Sequence, residues 1–66
     1  MVWVFERDGH RLRCEVTRTD DNAGYRIVIA QPDGAATVED IDAPAALAER
    51  AAEVMRNLRA HGWTLA

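Results

Sequence analysis

Apolar residues recur along this chain with one period in its first half and another at its end. Up to Ala30 they tend to alternate with polar ones, as in a half-buried strand, whereas from Leu47 they return every three to four positions, as in a helix packed on a core. The first run, Met1-Val2-Trp3-Val4-Phe5-Glu6-Arg7, is β-branched and aromatic. It leads into Asp8-Gly9, a dipeptide suited to a two-residue hairpin turn because glycine tolerates positive φ. A return strand from His10 to Arg18 follows. With Asp8-Gly9 as the loop, Arg7 faces His10, Glu6 faces Arg11, Phe5 faces Leu12, Val4 faces Arg13, Trp3 faces Cys14 and Met1 faces Val16. That register collects Trp3, Phe5, Leu12, Cys14 and Val16 on one face and makes Glu6 and Arg11 a cross-strand ion pair on the other. A slip of one residue would scatter the apolar set.

Thr19 to Gly24 reads as a polar connection, and Tyr25-Arg26-Ile27-Val28-Ile29-Ala30 as a third strand with Tyr25, Ile27 and Ile29 inward. Pro32-Asp33-Gly34 turns the chain again. Ala36 to Asp40 is a shorter and weaker fourth strand in which Val38 is expected to point inward, and Ile41 bridges into a helix predicted over 43–61. On that helix Leu47, Ala51, Val54 and Leu58 share one line, while Glu49, Glu53, Arg56 and Ala60 point the other way. Asp42 stands where a side chain caps the first turn, and Pro44 where a missing N–H costs little. Gly62 can close the helix in the left-handed conformation and bring Trp63 against Leu58, with Arg56 and Arg59 near the negative end of the dipole. The expected fold is α+β: an antiparallel β-meander of three to four strands with one C-terminal α-helix packed on one face, a single ββββα domain over residues 1–66.

Composition changes this picture in one respect. A domain of 66 residues hides only about 60% of the surface its unfolded chain exposes, so its stability is marginal. The single Cys14 cannot make an internal disulfide, and two histidines are too few for a zinc site without other ligands. Self-association is the remaining route to further burial. The net charge of -3 argues against a general binder of phosphate backbones. All eight basic residues are arginine and serine is absent, which suits a GC-rich bacterial coding sequence and excludes a serine nucleophile. No apolar run approaches about 20 residues, and Met1 to Phe5 lacks the parts of a signal peptide, so a cytoplasmic chain is expected.

The elements Arg7-Asp8-Gly9, Gly24-Tyr25, Pro32-Asp33-Gly34, Ala46-Leu47 and Gly62-Trp63 together resemble a group of small uncharacterised bacterial proteins with a strands-then-helix layout ending in Gly-Trp. The resemblance covers nearly the whole chain. Its motifs are mostly turns and caps, so it implies a fold and no substrate, cofactor or catalytic residue.

Few residues carry candidate chemistry. Cys14 is expected inside the sheet between Leu12 and Val16, without the base or helix N-terminus that activates a thiol. His10 reads as a turn residue and His61 as part of the last helical turn. Asp20-Asp21-Asn22 with Gly24 bears a partial likeness to a calcium loop, but the twelfth position from Asp20 is Gln31 where an EF-hand needs Glu. The reading is therefore of a chain that is not an enzyme, with no catalytic residue, metal or cofactor.

The outer face of the sheet holds the remaining information, with Val2, Val4, Arg11, Arg13, Glu15, Arg26, Val28 and Ala30 on it, and an ordinary solvated face competes with two sharper readings. In one reading Val2, Val4 and Val28 form an apolar strip that a second subunit or another protein covers, and the edge strand Met1 to Phe5 pairs with its copy in a homodimer. In the alternative, Arg11, Arg13 and Arg26, joined by Arg18, form a basic patch for single-stranded nucleic acid, on a plan similar to that of some small single-strand DNA-binding coactivator proteins. That surface lacks stacking aromatics, because Trp3, Phe5 and Tyr25 turn inward and Glu15 stands among the arginines. No membrane contact is expected.

Overall fold

The computed structural model describes residues 1–21 and 23–66. Its elements follow in the order β1 (Val2–Arg7), β2 (His10–Arg18), β3 (Tyr25–Ala30), β4 (Ala36–Ile41), α1 (Pro44–Ala60) and β5 (Thr64–Leu65). The strands form one antiparallel sheet in the order β4-β3-β2-β1-β5, and α1 packs across one side of it. This is the α+β layout expected from the sequence, with one strand more.

Asp8 and Gly9 both have positive φ, at 51° and 78°, the pair of values a two-residue hairpin needs to match the twist of its strands. Every expected β1–β2 pair forms, from Arg7 with His10 back to Trp3 with Cys14. Met1 and Val16 close the ladder by exchanging backbone hydrogen bonds of 2.8 and 3.0 Å. The register then carries into β3 through Cys14 with Ile29 and Val16 with Ile27. Cross-strand partners share a face, so Trp3, Phe5, Leu12, Cys14, Val16, Ile27 and Ile29 all turn toward α1. Phe5, Leu12, Cys14, Ile27, Val54 and Trp63 form the buried core, with Leu47, Met55 and Leu58 packed against it from the helix. Trp3 is only half-buried, beside an apolar cleft of about 270 Å³ that Met1, Val16, Leu47 and Ala51 also line.

The C-terminal end of α1 is locked as the Gly-Trp pair predicts. Gly62 takes φ 89°, its N–H donates to Arg59 O at 3.0 Å, and the Trp63 N–H donates to Leu58 O at 3.0 Å. These are the two bonds of a Schellman motif. Arg7 reinforces it from the sheet: its Nη1 donates to His61 O at 2.9 Å, and its guanidinium lies 4.5 Å from the centre of the Trp63 ring.

Three expectations are corrected. Val38 does not point inward: it pairs with Val28 on the outer face and is 60% exposed, and the inward positions of β4 go to Thr37, Glu39 and Ile41. Hydrophobicity favours the core for the lone valine of a polar strand, but the turn at Pro32-Asp33-Gly34, closed by the Gln31 N–H on Ala35 O at 2.7 Å, sets the parity. Asp42 does not cap α1, because the helix begins a residue later: Ala43 is the N-cap, at φ -128° and ψ 142°, and no side chain bonds to the first turn. The strand Met1 to Phe5 is not a free edge along its whole length: its later half is covered. Beyond Trp63 the chain runs back as β5 along β1, pairing Thr64 with Glu6 and Leu65 with Phe5, and the Ala66 N–H reaches Val4 O at 2.9 Å.

Candidate functional site

Strand alternation sends Val2 and Val4 outward from β1, Arg11, Arg13, Glu15 and Thr17 from β2, and Arg26, Val28 and Ala30 from β3. The ladder orders them into rows across the sheet. One row runs Val2, Glu15, Val28, Val38 and the next runs Val4, Arg13, Ala30, Ala36. The expected occupants of the face therefore stand together, and Val38 and Ala36 join them. Val2 and Val38 end their row with 48% and 60% of their surface in water.

Each outward arginine singled out by the sequence meets a carboxylate. Arg11 lies 3.1 Å from Glu6, Arg13 3.0 Å from Glu15, and Arg26 bonds Asp40 through Nε at 2.8 Å and Nη2 at 3.2 Å. The Arg26 guanidinium holds the Asp40 carboxyl below the usual carboxylate range, and Asp40 in turn raises Arg26. Exposed pairs of this kind stabilise a fold little. Their consequence is electrostatic: positive charge on this face is balanced locally instead of offered as a continuous patch. Arg18 is not part of it. It pairs with Tyr25 on the helix side and sits 5.2 Å from that ring's centre.

The other candidates are held in structural roles. Cys14 is buried and free, and burial pushes its thiol up, away from the thiolate that a nucleophile needs. His61 Nδ1 lies 2.7 Å from Asn57 O, a carbonyl that can only accept, so this nitrogen carries the proton and serves the helix end. His10 is exposed beside a cleft of about 250 Å³ shared with Arg7, Asp33 and Trp63. In the connection after β2, the Asp21 carboxylate accepts from Thr19 Oγ1 at 2.6 Å and the Ala23 N–H at 3.1 Å. Asn22, named with the calcium-like run, lies outside the described residues. Among the described residues no three histidine, cysteine or acidic side chains gather as a metal site.

Two contributors escaped the sequence reading. Arg7 joins the sheet to the helix end, and Arg50 reaches from α1 to Glu39 of β4 at 2.9 Å. Both contacts are tertiary. A helix-face reading could have flagged Arg50, a charge flanking the apolar line. No helix among the described residues is long and apolar enough to cross a membrane. No protein-family model, curated protein or solved structure matches this sequence.

Proposed function

We propose that this protein is a small, non-enzymatic, cytoplasmic interaction domain that self-associates, with the outer side of its sheet as the contact surface. The observation that carries this reading is the row from Val2 to Val38, apolar at both ends and exposed, on the side of the sheet that α1 leaves bare. Size and shape support it. The molecule measures 37 × 22 × 16 Å, and its radius of gyration of 12.2 Å exceeds the roughly 11 Å of a compact globule of this length. A flat slab with so small a core gains more than a larger domain from covering its second side. The ion pairs flanking the valines keep their charges matched, which lowers the electrostatic cost of bringing two such faces together.

The test is solution mass. Sedimentation at micromolar concentration is expected to give at least twice the 7.3 kDa of one chain, and Val2→Arg to halve that value by placing a charge in the apolar row. A single-chain mass for the wild type, or an unchanged mass for the variant, ends the proposal.

A further inference from the structure

The two edges of the sheet are finished differently. On β1, the groups that point away from β2 are those of Val2, Val4 and Glu6, and β5 occupies the last two. At the opposite edge β4 ends the strand order, and no further strand among the described residues pairs with it.

Two turn hydrogen bonds decide which backbone groups β4 presents there. The Gln31 N–H donates to Ala35 O at 2.7 Å, and the Thr19 N–H donates to Gly24 O at 3.1 Å. Counting inward from either turn by the alternation of antiparallel ladders, Ile29, Ile27 and Tyr25 exchange bonds with Thr37, Glu39 and Ile41. The N–H and C=O groups of Ala36, Val38 and Asp40 therefore point out of the sheet. Strand β4 has no proline, no lysine and an unbroken register, so of the features that usually blunt an edge only charge remains. It does carry two acidic residues. Both are drawn back onto their own chain, Asp40 by Arg26 at 2.8 Å and Glu39 by Arg50 at 2.9 Å.

We infer that β4 pairs antiparallel with β4 of a second copy, about a two-fold axis at Val38, and joins two sheets into one. The sequence of the strand selects this register. With Val38 opposite Val38, Asp40 lies opposite Ala36 and Glu39 opposite Thr37, so no carboxylate directly faces another and every outward group of Ala36, Val38 and Asp40 has a partner. A shift of two residues one way sets Glu39 against Glu39; the other way, Asp40 runs into the turn at Gly34. A shift of one opposes outward-pointing groups to inward-pointing ones. The pairing also continues the apolar row through Val38, whose exposure it reduces.

This contact is separate from the face contact proposed above. Its two-fold runs along the sheet normal, whereas that of two stacked faces lies in the sheet plane. Perpendicular axes of this kind are compatible with a closed assembly of four chains.

Sedimentation equilibrium of the full chain, with Val38→Pro and Val2→Arg beside the wild type, tests the inference. Proline at position 38 removes an outward N–H and none of the bonds to β3, so it is tolerated by the chain and not by the pairing. Val38→Pro is expected to halve the wild-type mass. An unchanged mass, or a single-chain mass for the wild type, overturns the edge pairing. An assembly split by Val38→Pro alone supports the edge and removes the face; one split by Val2→Arg alone does the reverse. If Val38→Pro loses its circular dichroism, amide exchange in the wild type decides: the Val38 and Asp40 N–H groups exchange slowly when concentrated and rapidly on dilution. Rapid exchange at both concentrations overturns the pairing.

Discussion

At the scale of single residues, the positions that matter most are those where backbone and side chain make the same demand. Gly62 must hold φ 89°, and Trp63 must then fill the space between the helix end and Arg7. Trp63→Ala is expected to cost about 3 to 5 kcal/mol, a large part of the roughly 5 to 15 kcal/mol that holds a small domain together. Gly62→Val strains the same turn through its backbone, and urea denaturation of the two variants checks both. Wild-type midpoints would mean that the lock does not bear on stability. Trp63 and Gly62 were legible in the sequence because a Schellman closure is local. Arg7 was not, since its partners His61 and Trp63 are distant in sequence.

At the scale of elements, hairpin and helix differ in how fully they are specified. The first hairpin follows from Asp8-Gly9 and the alternation on either side, which fix turn and register at once. Helix α1 is well closed and poorly opened: its N-cap is Ala43, with no side-chain bond to the free N–H groups of the first turn. Ala43→Asp is therefore expected to raise stability by about 1 kcal/mol, while Asp42→Ala leaves it nearly unchanged. Thermal unfolding of both variants measures this. The reverse order would show that Asp42 does cap the helix in solution. Asp42 is the better capping residue by type, yet the helix takes Ala43 as its N-cap. Just before the helix the backbone is held closely against the sheet: a Cβ on Gly24 would lie 2.8 Å from Ile41 O.

For the whole molecule, the decisive feature is how the sheet's borders are treated. Strand β5 is short and exposed, yet it covers the Val4 and Glu6 groups of β1. Removing residues 64–66 should uncover that border and produce concentration-dependent light scattering at protein concentrations where the full chain stays clear. Clear solutions of the shortened chain would show that β5 is not a guard. The segment was unreadable as a strand because two residues carry no period, and only the path of the chain out of the Gly62 turn lays them beside β1.

Local periodicity by itself determined the strands up to Ala30, the helix, the turn at Asp8-Gly9 and the side of the sheet that is buried, because each depends on neighbours a few positions apart or on one hairpin. The Glu6–Arg11 pair comes with the hairpin register, whereas the parity of β4, the guard on β1 and the pairing of Arg26 with Asp40 were decided only by tertiary structure. They depend on which strands become neighbours and on where a long side chain finds its charge, distances that no pattern along the chain encodes.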